Sequence, residues 1–484
     1  MGSWFLLFLF FIPFLTGMLM GIFKPKDKMM KIISYFSVIL TSILVWISIF
    51  VVKEEAFVIL KIVEKYQITL RFDNAGKIFA GMVSLLWPLA LMYSYGYMKH
   101  DERRNIYNNF YVMTYGVVLG LCVSENLLTM FIFYEMLTFI TLPLIIHPMT
   151  SEAKRAGRIY LYYSLSGSSL SLVGMIMMTT SLGTNSFNLA FAMSQNSSVL
   201  YQIGFVLCFF GFGVKSAIFP LHYWLPTAGV APTPTTALLH AVAVVKAGVF
   251  ALIRITYYLN GASMLQGTWI QYLMMMISSF TILFGSIKAL KEQHLKRRFA
   301  YSTISNLSYI VLAISFMSKL GLVAAFLHLV IHSITKICLF FCCGEIIENS
   351  SAKYVYELNG IGKKMPLTMI SFALASCSIT GVPLFGGFVS KYYLIKAGLS
   401  LANVFSYIGV ICLIISALLT AIYSLVIPFV SFVNTPNENN QEIISKANEK
   451  SKEMLIPIIT FSVCTLILGV CSSYLVSLFM NMFM

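Results

Sequence analysis

In the stretch "AAFLHLVIHSITKICLF", His328, His332 and Lys336 recur at i, i+4 and i+8, so a helix carries all three on one face. Their surroundings are almost wholly apolar. Side chains that gain and lose protons, stacked along an apolar helix, suit a proton relay. Two plainer readings stay open: histidines held by ordinary structural hydrogen bonds, and a metal site. Two His at i, i+4 can ligate zinc, but no Glu follows the first and no third ligand is evident.

Other ionisable groups sit in similarly apolar surroundings. "GVKSAIFPLHYWLPTAGVAPTPTTALLHAVAVVKAG", Gly213 to Gly248, contains Lys215, His222, His240 and Lys246, with Pro220, Pro226, Pro232 and Pro234 scattered through what should be helix. In "SITGVPLFGGFVSKYYLIK", Lys391 follows Gly381, Pro383, Gly386 and Gly387. Glu135 lies about ten residues, roughly 15 Å, into the helix expected to start near Glu125. Lys215 is its natural counter-ion, although a single pair of this kind can be purely structural. The series Glu135, Lys215, Lys246, His328, His332, Lys336 and Lys391 is the candidate proton pathway, with His240, His222 and Arg254 as secondary candidates. Lysine suits the task because desolvation lowers its proton affinity and a nearby carboxylate raises it again.

The elements that must position these groups are membrane spans. The chain has 484 residues, is 58% hydrophobic and 11% charged, and has a mean hydropathy of +0.84. Apolar runs long enough to cross a bilayer recur almost end to end, giving about 14 spans. Their expected extents are 4–22, 31–52, 78–98, 107–123, 126–147, 159–182, 200–222, 235–258, 269–287, 301–317, 321–344, 365–395, 402–430 and 455–481. The first has no basic stretch ahead of it and is followed by "KPKDK", so it reads as a retained anchor and not a removable signal peptide. Interruptions in spans 7 and 12 point to a transporter built from inverted repeats. Freed backbone groups at such breaks, with nearby lysines, can hold a water wire.

A net charge of +15 in a soluble chain would point to nucleic acid. Here the cations sit in short loops, and the partner implied is the lipid bilayer. The odd-numbered loops hold Lys24, Lys26, Lys28 and Lys31, then Lys99, Arg103 and Arg104, and so on to Lys446, Lys450 and Lys452. The even-numbered loops hold far fewer: Lys53, Lys61, Lys65, Arg71, Lys77, Lys319 and Lys396. This asymmetry predicts a multi-pass protein of the cell membrane with odd loops in the cytoplasm and both termini outside. Lys215, Lys246, Arg254, Lys336 and Lys391 remain inside the membrane and need partners or water. In the second loop, "VILKIVEKYQITLRFD" has partial alternation and predicts an external hairpin. "NTPNENNQEIISKANEKSKE" predicts a polar linker with some helix. The nine cysteines lie in or beside apolar segments without a C-x-x-C pair, which argues against a cofactor or metal held in this chain.

Taken jointly, Glu135 in "FYE", Lys215 followed by "FPLHYWLPTAGVAPTPTTALLHAVAVVKAG", "RRFAYSTISNLSYI", the H-x-x-x-H-x-x-x-K stripe and "GVPLFGGFVSK" resemble the antiporter-like proton-translocating subunits. That family is shared by respiratory complex I, Mrp-type sodium/proton antiporters and membrane-bound [NiFe] hydrogenases, and the resemblance covers roughly residues 70–425. It implies an all-α polytopic membrane protein of 14 helices, with two inverted five-helix repeats and broken helices at spans 7 and 12. The corresponding division is 1–106, a three-span segment; 107–258 and 269–430, the two repeats; and 431–484, a linker and last helix. The resemblance implies a controlling pair of Glu135 and Lys215, a central Lys246, connecting groups at His332 and Lys336, and a terminal Lys391. Partners would be other membrane subunits and, in a redox complex, soluble hydrogenase- or ferredoxin-type subunits holding iron–sulfur clusters and a nickel–iron centre.

Within the family, lysine at 391 argues against the complex I subunit that carries glutamate there. The sequence ending soon after the last span argues against the long lateral helix of the largest subunit. "LLHAVAVVKAGVF" is most similar to subunits of the Mrp D type, including those in hydrogenases. Thr227 departs from the common "WLPDA", which puts a cap or proton-entry role there in doubt. The expected function is proton or sodium/proton translocation within a hydrogenase-type or Mrp-type complex, with no redox chemistry in this chain. A complex I-like quinone reductase subunit is the nearer alternative. A transporter of an organic solute would also be compatible with broken helices, but would not need lysines and histidines along one axis. A membrane-embedded transferase would usually show acidic or nucleophilic residues in an external loop.

Overall fold

The computed structural model describes residues 2–63, 66–189, 198–259, 261–436, 440–449 and 451–483. Lys65 and Lys450, counted above among the loop cations, lie outside these residues. Hydrocarbon offers the backbone no hydrogen-bonding partners, so the apolar runs fold as helices that satisfy their own amides. The chain is an all-helical, multi-pass membrane protein apart from a short hairpin. Ten of its helices among the described residues are long and apolar enough to span a bilayer.

The helices of the expected spans follow one another as α1 (Leu6–Phe23), α2 (Asp27–Val51), α3 (Asn74–Tyr97), α4 (Arg104–Cys122), α5 (Leu127–Ile146) and α6 (Ser151–Leu182). Between α2 and α3, β1 (Phe57–Val63) pairs antiparallel with β2 (Tyr66–Leu70), the expected hairpin. The seventh span stops at α7 (Val199–Gly213), and the chain crosses an irregular stretch to the short α8 (Trp224–Thr227). The eighth comprises α9 (Thr233–Ala237), a π-helical turn (Leu238–Val242), α10 (Val244–Ile253) and a second π turn (Arg254–Tyr258). Then come α11 (Trp269–Lys291), α12 (Leu295–Ser315) and α13 (Lys319–Ser350), followed by a twelfth span split into α14 (Pro366–Thr380) and α15 (Gly386–Leu399). After α16 (Val404–Val433), the linker carries α17 (Gln441–Lys446), and the last span is α18 (Lys452–Val470) with α19 (Ser472–Phe483).

The breaks in spans 7 and 12 are where the prolines and glycines placed them. The sequence did not announce the interruption of the last span at Cys471. There, a Cβ on Gly469 would run into the Leu384 carbonyl, so the two interrupted spans pass each other in backbone contact.

The most apolar windows of the eighth span and of α13 are 100% and 94% buried, whereas those of α1 and α18 are only 33% buried. The core is therefore organised around the two helices that carry His240, Lys246, His328, His332 and Lys336.

Loop contacts sort by parity, as alternating spans require. Odd-numbered loops meet one another: Lys31 and Glu453 at 2.5 Å, Asp101 and His147 at 3.0 Å, and Glu449 accepting from the Thr368 amide at 2.7 Å. Even-numbered loops do likewise: the Asn188 amide donates to the Tyr258 carbonyl at 2.6 Å, and the Gln271 amide side chain to the Ser315 carbonyl at 3.0 Å.

Candidate functional site

The first break exposes polar backbone that neighbouring side chains satisfy. Trp224 Nε1 donates to the Val214 carbonyl at 2.7 Å, and Thr281 Oγ1 accepts from the Phe219 amide at 3.1 Å. Lys215 lies just past the end of α7 and is fully buried. A Cβ on Gly248 would stand 2.6 Å from the Ser216 nitrogen, so glycine there lets α10 lie directly against the break. Lys246 is thereby brought close to the Lys215 segment.

The expected direct Glu135–Lys215 ion pair is not formed. Lys215 Nζ donates to the Tyr134 carbonyl at 2.5 Å and stands 3.4 Å from the centre of the Tyr134 ring. Glu135, the next residue, accepts a hydrogen bond from Ser168 instead. The ammonium is satisfied by a carbonyl dipole and the negative face of an aromatic ring, while Glu135 stays half-buried on the same helix. The two charges are neighbours, with Tyr134 holding the ammonium and the next residue on the same helix carrying the carboxylate.

The central group is tighter. Lys246 Nζ and His332 Nδ1 are 2.7 Å apart, and Lys246 has no exposed surface. A lysine ammonium can only donate, so in that state His332 accepts at Nδ1 and keeps its own proton on Nε2, an atom without a protein partner. The rings of His332 and His328 stack with centres 5.7 Å apart and planes at 18°. His328 Nδ1 is 3.0 Å from Ser390 Oγ, next to Lys391. Between these groups is a small cavity of about 10 Å³, lined by His328, His332, Asn306 and Lys391. That is about the room one water needs.

The second break ends the axis. Gly381 at φ +93° closes α14 in a left-handed turn, leaving the last carbonyls without helical partners. Lys391 Nζ donates to two of them, Ile379 at 2.7 Å and Thr380 at 2.8 Å. A Cβ on Gly387 would collide with the Ser378 carbonyl. Gly387→Ala is therefore expected to push α15 off α14, separating Lys391 from its carbonyls. Assembly yield of the complex should fall, or, where it assembles, transport should fall about tenfold or more, of the order of losing a positioned proton carrier. Transport assays on the purified variant complex check this.

Other candidates are placed apart. Lys336 Nζ donates to the Phe299 carbonyl at 3.0 Å, two turns along α13 from the histidine pair's far end. His240 lies in the π turn with its ring 4.8 Å from that of Phe340. His222 stacks on Phe219 and meets Phe284 edge-on, away from the axis. Arg254 is locked in a bidentate pair with Asp73, the N-cap of α3. Sequence reasoning missed Asp73, although "RFDNAG" carries the D-x-x-G start signal of a capped helix. It also missed Tyr134, Ser168 and Ser390, hydroxyl-bearing residues whose roles depend on tertiary approach. Thr227 bonds back to the Tyr223 carbonyl at 2.8 Å and faces a polar cavity of about 290 Å³. Carboxylates enter that cavity from Glu152 and Glu292, with Arg155 and Arg297.

Comparison with known proteins places this geometry in a family. Residues 124–426 match the family model described as NADH:quinone oxidoreductase/Mrp antiporter, TM. The A/B subunit of a probable K(+)/H(+) antiporter from Rhizobium meliloti (strain 1021) is 32% identical over 326 residues, 67% of this chain and 32% of the relative. The A1 subunit of a Na(+)/H(+) antiporter from Staphylococcus aureus (strain JH9) is 28% identical over 424 residues, 83% of this chain and 52% of the relative. The chain thus spans about a third to a half of the length of these curated relatives. A chain of the Mrp complex from Dietzia sp. DQ12-45-1b superposes with a TM-score of 0.85 at 19% identity, covering 99% of this chain and 96% of that one. A chain of the membrane-bound sulfane sulfur reductase, an archaeal respiratory membrane complex, gives 0.83 at 22% identity, covering 98% and 99%. The fold is theirs, and the family match spans most of the sequence. The chain belongs to the NADH:quinone oxidoreductase/Mrp antiporter membrane subunit family.

Proposed function

We propose that this chain translocates protons, in exchange for sodium or potassium ions or driven by a redox reaction in partner subunits, as the antiporter-like subunit of a multisubunit membrane complex. The observation that carries the reading is the 2.7 Å contact between the buried side chains of Lys246 and His332. Burying two proton-binding groups against each other, with no carboxylate among the described residues paired to either, is costly as architecture. It is useful where one proton must pass between them.

In this reading Glu135 and Lys215 control the axis. When Lys215 swings from the Tyr134 carbonyl toward Glu135, its positive field withdraws from Lys246, which then holds a proton more strongly. The reverse movement drives the proton to His332, past the small cavity to His328, and on to Lys391 at the second break. Lys336 acts as a further proton reservoir on the same helix.

The basic, odd-numbered loops are proposed to face the cytoplasm. Glu135 supports the need for a partner: a half-buried carboxylate well inside a span is costly against lipid and calls for a covering subunit. Any iron–sulfur or nickel–iron centre would lie in such partners.

The test is to purify the intact complex gently, identify its subunits by mass spectrometry, and assay it in proteoliposomes for sodium- or potassium-dependent proton movement and for ferredoxin-linked hydrogen evolution. Cation-dependent proton movement with only membrane subunits supports an Mrp-type antiporter, and co-purifying redox subunits support a respiratory pump. A lone monomer that moves no protons overturns the reading.

A further inference from the structure

α13 carries a further ionisable group beyond Lys336, on the opposite face of the helix, since nine residues at about 100° each leave it roughly half a turn round. Glu345 lies nine residues on, roughly 13 Å along the helix toward the face of the odd-numbered loops. It has no exposed surface. One carboxyl oxygen accepts from Asn349 Nδ2 at 2.8 Å, and the other has no protein partner. The charges acting on it are the carboxylates of Glu449 and Glu348, and among the described residues no cation pairs with it. A structural carboxylate is normally buried with a cation or several donors, because desolvating an unneutralised charge is expensive. This one is surrounded as a carboxyl that takes up and releases a proton would be.

A cleft approaches Glu345 from one side without reaching it. Asn349, which holds Glu345, also lines a polar cleft of about 550 Å³ together with Glu348, Lys99, His100 and Lys452. On the other side, a Cβ at Gly344 would lie 2.9 Å from the Thr233 Cβ and closer still to the Tyr93 hydroxyl. The Tyr93 hydroxyl and the Thr233 methyl therefore meet the helix beside Glu345. Tyr93 donates to the Phe341 carbonyl at 2.9 Å, and Thr233 donates to the Tyr97 hydroxyl at 3.3 Å. Thr233 opens the Pro-interrupted eighth span, and the His240 ring in that span packs on Phe340, midway along α13 between Glu345 and Lys336.

We propose that Glu345 is a second proton-access site, loaded from the cleft on the odd-loop face and feeding Lys336 and Lys246 through Tyr93, Thr233 and His240. The proposal rests on the proton-translocating reading above. In each step a proton leaves water in the cleft for a Glu345 oxygen, then passes by way of hydroxyls to the imidazole and a lysine amine, with no other bond made or broken. The site takes protons; the mixed charges around the cleft hold water at its mouth.

The assembled wild-type complex in proteoliposomes sets the baseline. Glu345→Gln, nearly isosteric, is expected to slow proton movement about tenfold or more, with a changed pH profile. Glu345→Asp should restore part of the rate, which a merely structural role would not require. In parallel, dicyclohexylcarbodiimide, which attacks protonated carboxyls in apolar surroundings, should label Glu345 in the wild-type complex, with labelling tracking loss of transport. Normal transport and pH profile in Glu345→Gln would overturn the proposal while leaving the proton-translocating reading intact. If the Gln variant does not assemble, absence of carbodiimide labelling at Glu345 would overturn it instead. Absence of proton movement in the wild-type complex would overturn the reading beneath it.

Discussion

Lys246→Ala is expected to lower proton translocation by the assembled complex about a hundredfold or more, the scale on which a positioned proton-transfer group contributes. The side chain has no exposed surface, and its amine is the hydrogen-bonding partner of His332 Nδ1. Removing it leaves a gap between the Lys215 segment and the histidine pair. Lys246→Arg is the sharper variant. Arginine keeps a cation beside His332 but holds its proton at every accessible pH. A structural or purely electrostatic role would be rescued by arginine, whereas a relay would not. Proton movement followed with a pH-sensitive dye in proteoliposomes, with assembly verified by subunit mass spectrometry, decides between them. Wild-type rates in Lys246→Arg would sink the relay.

Much of this arrangement was legible because membranes make certain residues conspicuous. An apolar run of spanning length admits few folds, and a lysine or histidine within it stands out against its neighbours. Lys246, His328, His332 and Lys391 were found that way, and the structure brings them together along α10, α13 and α15. The breaks were legible for a similar reason, since Pro and Gly punctuate helices wherever they fall.

What the sequence concealed is pairing. Periodicity assigns a face but not the residue opposite it. The sequence therefore matches Lys215 with the mid-span carboxylate Glu135, when a main-chain carbonyl and an aromatic ring are as effective and leave no mark in the sequence. Arg254 was read as a candidate on the pathway because Asp73 stands 181 positions away. Glu345 was overlooked because it sits just past the expected end of its span, where a carboxylate is ordinarily solvated; only its burial distinguishes it.

Asp73→Ala is expected to cost the complex about 3–5 kcal/mol, the range for removing one partner of a buried pair. The carboxylate does two jobs: it accepts from the Gly76 amide at 3.0 Å as the N-cap of α3, and it receives both terminal nitrogens of Arg254. Arg254 has no exposed surface, so its charge would be stranded beside Phe187, Phe250 and Tyr258. Adding Arg254→Met to Asp73→Ala should recover part of the loss, because it removes the stranded charge and leaves an apolar chain of similar reach. The thermal midpoint of the purified complex, read by a fluorescent dye or by intrinsic fluorescence, measures both effects. The pair also has a pH signature. Burial pushes the Asp73 carboxyl up, but Arg254 and the amide of Gly76 more than offset it, and the group lies below its ordinary value of 3.8. A carboxyl depressed on folding contributes stability that is full above that ordinary value and is lost as the pH falls through the folded one. The wild-type midpoint should therefore hold as the pH is lowered to about 4 and fall below it, and the Asp73→Ala complex should lack that part of the acid-side loss. Equal midpoints for wild type and Asp73→Ala at neutral pH would show that Arg254 does not depend on Asp73 for its place in the fold.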